Sequence, residues 1–156
     1  MQDAQARSAL SKARAYCARQ ERAQQEVRDK LYAWEVPASR VEGIISQLIG
    51  EGYLNEARFA EHFAVSKFRQ KGWGVRRIEA ALKQKHVSTP CIGLALRALD
   101  GDEYVQGLQR IVERKWERLK EPDPSLKHRK LMRYFLGRGY SSDAVERALR
   151  HCAGQE

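Results

Sequence analysis

One apolar spacing occurs three times along this chain, and it limits the possible folds more than any other feature. Val27, Leu31, Val36, Val41 and Leu48 set the pattern; Ile78, Leu82, Val87, Ile92 and Leu99 repeat it 51 residues later, and Leu131, Phe135, Tyr140, Val145 and Cys152 repeat it 53 residues after that. Each copy reads as a helix, a turn and a second helix. A further helical stretch precedes each copy: Ser8 to Gln20, Asn55 to Lys71, and Asp102 to Lys120. No segment alternates with the period of two that a strand requires. The predicted fold is therefore all-α, three tandem three-helix repeats at residues 1–54, 55–101 and 102–156. A unit of this size buries too little surface to be secure alone, so an elongated, curved array of mutually supporting repeats is expected.

Helix boundaries follow from the punctuation. The second helix runs from Gln24 to about Trp34, where Pro37 is expected to stop it, and Ser39 with Glu42 has capping-box spacing ahead of the third. Gly50 and Gly52 close that helix. Asn55 is a predicted N-cap. After it, Phe59, Ala60, Phe63, Ala64 and Phe68 gather on one buried side, while Arg58, His62, Val65 and Arg69 form an outward, mostly basic stripe that is either a solvated face or a binding surface. Gly72 and Gly74 flank Trp73 at a corner, which makes that ring a buried wedge or an exposed contact. Ser88, Thr89 and Pro90 open one later helix, and Ser141 and Ser142 open another. Between them the stretch EPDPSL, residues 121–126, breaks the chain.

Charge narrows the range of functions. The net charge is +9, and it is uneven: residues 55–101 hold nine Lys and Arg against four acids. Between His62 and Lys85 the only acid is Glu79, among Lys67, Arg69, Lys71, Arg76, Arg77, Lys83 and Lys85. Such a surface attracts phosphates or an acidic protein. In the third repeat Arg110, Arg114 and Arg118 alternate with Glu113 and Glu117, which predicts a salt-bridged solvent face. Lys127, His128, Arg129, Lys130 and Arg133 form a further basic cluster.

Catalytic and metal-binding patterns are missing from the sequence. It contains no phosphate-binding loop, no H-E-x-x-H and no G-x-S-x-G. Asp100, Asp102 and Glu103 lack the ligand count of a calcium loop. Cys17, Cys91 and Cys152 are too far apart for a disulfide framework or paired metal ligands and are expected to be reduced thiols. No apolar run approaches a membrane span, and the first residues lack a secretory pattern. A soluble, cytoplasmic, non-enzymatic protein without cofactor or metal is expected. Two binding readings stay open: direct grip on nucleic acid by basic helix pairs, or a basic surface laid along an acidic or DNA-loaded protein assembly.

The run GYLNEARFA at Gly52–Ala60, with Lys67-Phe68-Arg69, Lys71-Gly72-Trp73-Gly74 and Arg77-Ile78, resembles the signature of the RecX regulatory proteins, modulators of the RecA recombinase. Tyr16 to Arg22 with Glu26 to Leu31 is similar to that family's first repeat, and Arg138-Gly139-Tyr140-Ser141 with Val145 to its last. Asn55-Glu56 stands where many members carry two acids, which preserves the cap. The resemblance implies a protein of three tandem three-helix repeats that binds the RecA filament in its groove and suppresses filament growth, ATP hydrolysis, strand exchange and coprotease action; a monomer is expected. The resemblance places the protein in DNA repair, recombination and the SOS response; free DNA binding is expected to be weak and steeply salt-dependent. The expected contact residues are Arg58, His62, Arg69, Lys71, Arg76, Arg77 and Lys83; Phe59, Phe63, Trp73, Ile78 and Leu82 are expected to be structural.

Overall fold

A computed structural model describes residues 2–99 and 101–154. Among these residues every regular element is helical. The order is α1 (Gln2–Arg19), α2 (Gln24–Ala33), α3 (Ala38–Gly50), α4 (Glu56–Lys71), α5 (Val75–Gln84), α6 (Thr89–Ala98), α7 (Asp102–Arg118), α8 (Pro124–Gly137) and α9 (Ser142–Cys152). Three three-helix domains in tandem account for all nine.

The repeated apolar positions form the interior. All fifteen are buried except Cys152, which is half-buried. Their common spacing has a backbone cause that the side chains do not reveal. After α2, α5 and α8 the chain makes the same left-handed turn: Val36, Val87 and Tyr140 donate their N–H to the carbonyls of Leu31, Leu82 and Phe135 at 3.0, 3.2 and 3.2 Å. The preceding residue donates to the carbonyl one position later in the helix, from Glu35 to Tyr32, His86 to Lys83 and Gly139 to Leu136. This is the Schellman closure, which satisfies carbonyls at a helix end and requires positive φ at the turning residue. Glu35 and His86 adopt it at φ 60° although neither is glycine, and Gly139 adopts it at φ 101°.

Contacts divide the chain into two compact units, one comprising Met1–His62 with Leu82–Ala95 and the other Phe63–Ala81 with Leu96–Glu156. In the first, α1, α2 and α3 pack on one another around Ala13, Val27, Leu31, Val41, Ile45 and Leu48. Two local expectations are corrected here. Helix α1 begins at Gln2, six residues before Ser8. The Ser39–Glu42 capping box does not form: α3 opens at Ala38 with Pro37 as its cap residue, and the Glu42 carboxylate instead receives Arg28 at 2.5 and 3.1 Å. Pro37 therefore starts α3, whereas α2 has already closed at Trp34. Proline suits the start of a helix because the N–H it lacks would have no partner there.

In the second unit α7 packs against α8 and α9 around Leu108, Val112, Leu131, Phe135 and Tyr140. Asp123 caps α8 by accepting the Ser125 N–H at 3.0 Å, with Pro124 as the first helical residue, and Ser141 caps α9 by accepting the Ala144 N–H at 3.2 Å. Gly107 lets α7 approach α4, since a Cβ there would stand 2.6 Å from the Phe68 ring. Phe68, Tyr104 and Tyr140 consequently stack in a column with centroids 5.2 and 5.6 Å apart.

Candidate partner-binding surface

The Gly72-Trp73-Gly74 corner is held at several points by the third domain. Helix α5 begins there, and its first N–H groups have no partner within the helix. Gly74 donates to the Arg138 carbonyl at 2.8 Å, Arg76 to the Gly139 carbonyl at 3.0 Å, and Val75 to the Tyr104 hydroxyl at 3.1 Å. In return Tyr140 donates its hydroxyl to the Gly72 carbonyl at 3.0 Å, and Arg138 reaches the Lys71 carbonyl. The turn after α8 thus caps α5 from outside. This close approach explains both glycines: a Cβ on Gly74 would lie 2.4 Å from the Gly139 carbonyl carbon, and one on Gly139 would lie 2.6 Å from Arg77.

Trp73 is neither a buried wedge nor a free ring. It is half-buried, edge-on to Phe63 at 6.3 Å, with Lys67 Nζ 5.0 Å and the Arg77 guanidinium 4.4 Å from its centre. One cation comes from α4 and the other from α5, so the indole ties the two helices and steadies the Arg77 side chain at the surface.

All seven expected contact residues are exposed. Arg58, His62 and Lys83 fall in the first unit, and Arg69, Lys71, Arg76 and Arg77 in the second. Asn55 caps α4 as expected, accepting the Arg58 N–H at 3.0 Å. The Arg58 guanidinium, however, pairs with Glu21 at 2.6 Å and donates to the Gly52 carbonyl. Arg69 grips Glu103 through two bonds of 2.8 and 3.2 Å. That bonding, then its charge, holds the Glu103 carboxyl below the ordinary carboxylate range and raises Arg69 in turn. Both acids lie more than thirty residues away in the chain, so a local charge count misses them. Lys71 and Arg76 have no ion pair among the described residues. Of the three acids considered for a cation, Asp100 lies outside the described residues and Glu103 is taken by Arg69.

The α7 arginines correct the expectation of a salt-bridged face. Glu113 turns away from them, accepting from Gln109 at 3.1 Å and lying 3.8 Å from His151 of α9. Arg110, Arg114 and Arg118 have no ion pair among the described residues. They line two adjoining clefts of about 410 and 210 Å³ between α7, the end of α4 and α8, and Lys71, Gly72, Ile111 and Arg114 belong to both. Arg138 and Lys115 join them there. A one-turn interval was legible in the sequence, but the side of α7 on which Glu113 finds its partners was not.

Comparison with known proteins comes out the same way for all three domains. Family models of the first, second and third three-helix domains of RecX match residues 9–48, 55–96 and 102–149. A protein named Regulatory protein RecX from Ectopseudomonas mendocina is 33% identical over 136 residues, which span 86% of this chain and 88% of that one. Another of that name from Vibrio campbellii is 31% identical over 134 residues, 84% and 83% of the two chains. The crystal structure of RecX from Lactobacillus salivarius superposes with a TM-score of 0.88 over 97% of this chain and 98% of its own, at 20% identity, a likeness of fold.

Proposed function

This chain belongs to the RecX family of regulatory proteins, and from that premise we propose that it is a negative regulator of RecA that binds the RecA–DNA filament along its groove. It acts there as a monomer in the cytoplasm and lowers recombinase, ATPase and coprotease activity by contact, with no reaction of its own. The observation that carries this reading is the match of all three domains to RecX together with an exposed basic surface in the central one. Binding that spans neighbouring RecA subunits favours one subunit spacing and opposes a cycle that passes through another. Lys71, Arg76 and Arg77 are the strongest contact candidates, because Arg76 and Arg77 stand on a helix start locked by three backbone donors and Lys71 is not spent on an internal acid. Arg58 and Arg69 must exchange Glu21 and Glu103 for a partner's carboxylates or phosphates. His62 and Lys83, exposed in the first unit, are further candidates.

The test is RecA ATPase and strand exchange on single-stranded DNA with and without the protein. Inhibition at protein levels well below RecA, unrelieved by added DNA, is the expected result. Inhibition that extra DNA abolishes would replace filament binding with sequestration of the nucleic acid. Reversing Arg69, Arg76 and Arg77 to Glu together is expected to weaken inhibition while far-UV circular dichroism stays unchanged; full inhibition by that variant would remove the central patch from the contact.

A further inference from the structure

Four arginines elsewhere on this molecule are held by carboxylates: Arg14 by Glu51, Arg28 by Glu42, Arg58 by Glu21 and Arg69 by Glu103. The three on α7 have no ion pair among the described residues, although Glu113 and Glu117 alternate with them in sequence. We infer that this row is a track for the phosphodiester backbone of single-stranded nucleic acid, with Arg110, Arg114 and Arg118 on successive phosphates and Lys71 and Arg138 on the opposite wall.

Geometry supports a strand over a single small anion. Four residues of helix advance about 6 Å, so the row offers cations at one fixed interval over two turns. The two clefts beside it are continuous through Lys71 and Arg114, so the track extends beyond one phosphate. Guanidinium groups match phosphate oxygens with two parallel donors, which a lysine row would not do. Tyr134, on the edge of the smaller cleft, is 42% exposed and holds Lys115 Nζ 3.8 Å from its ring centre, which fixes a further cation beside the row.

The experiment is anisotropy of a fluorescein-labelled oligothymidylate titrated with the full chain over a series of salt concentrations, in the absence of RecA. Each phosphate contact on a single strand contributes about 0.7 to the slope of log affinity against log salt. Arg110→Gln, Arg114→Gln and Arg118→Gln together should lower that slope by about 2 and weaken low-salt binding about tenfold or more. Arg97→Gln, Arg129→Gln and Arg147→Gln remove the same charge elsewhere and should cost far less. Lysine at all three α7 positions should keep the slope and lose part of the affinity, which separates a lost contact from a disturbed helix. Equal losses in the α7 and control variants would overturn the track. So would an α7 glutamine variant that holds the oligonucleotide normally but releases a polyglutamate peptide. RecA takes no part in the measurement, so its failure leaves the filament reading standing, and the reverse also holds.

Discussion

Replacing Gly74 by alanine tests the central corner most directly. The added Cβ would stand 2.4 Å from the Gly139 carbonyl carbon, 2.5 Å from its oxygen and 2.6 Å from the Tyr140 nitrogen. All three are backbone atoms, so no side chain can swing aside to make room. Reaching ordinary contact distance parts the two segments by about 1 Å. That displacement stretches the bonds from Gly74 to Arg138, from Arg76 to Gly139 and from Val75 to Tyr104, now 2.8, 3.0 and 3.1 Å. At about 1 kcal/mol net for each, the loss is roughly 3 kcal/mol. Alanine returns about 0.5–1 kcal/mol by restricting the unfolded chain, leaving a net destabilisation of about 2 kcal/mol. With a urea dependence of about 2 kcal/mol per molar, the unfolding midpoint should fall by about 1 M. Urea titration followed by tryptophan emission measures it, Trp73 being the adjacent residue, and hydrogen exchange at the Arg76 amide should quicken. Gly43→Ala is the control: it lies inside α3 with nothing within 4 Å of the new Cβ, and should stabilise by about 0.5–1 kcal/mol. An unchanged midpoint for Gly74→Ala would refute the claim that the third domain's turn seats α5.

Further outcomes follow from the same geometry. The turn position shared by the three domains should respond with opposite signs: Glu35→Gly relieves a residue held at φ 60° and should stabilise by about 1 kcal/mol, read as a higher urea midpoint. Gly139→Ala places a Cβ 2.6 Å from Arg77 at φ 101° and should destabilise. Asn55→Ala removes the acceptor of the Arg58 N–H and should cost about 1 kcal/mol in the same assay. Burial, foremost, holds the Tyr140 and Tyr104 hydroxyls above the ordinary phenol range. Below about pH 10 both phenols are protonated whether the chain is folded or not, and that stability is fully present. Above it the unfolded chain loses the protons first, so stability should fall with rising pH, and phenylalanine at both positions should flatten the fall.

Legibility differed from residue to residue for definite reasons. Helix caps at Asn55 and Ser141 were readable because a cap is a contact between residues three apart; Asp123 was passed over as part of a chain break, although α8 starts within that stretch at Pro124. Ser39 failed as a cap because Pro37, with its φ already suited to a helix start, takes the cap position two residues earlier. Glu35 and His86 gave no sign of a left-handed turn, since nothing in their chemistry asks for one; only alignment with Gly139 through the repeat points to it. The seven expected contact residues all lie at the surface, because a long charged side chain stays in water unless paired. Which of them are spent on Glu21 and Glu103 depended on acids remote in the chain.

The sequence alone therefore determined what local physics determines: all-helical structure, its periodic apolar faces, most of its helix ends, and the threefold repeat whose members became the core. Tertiary structure decided which cations keep an internal partner, why Gly74 and Gly139 must lack side chains, and that the α7 arginines border a cleft. Those outcomes depend on atoms brought within a few ångströms of one another by segments far apart in the chain, and no local pattern encodes that proximity.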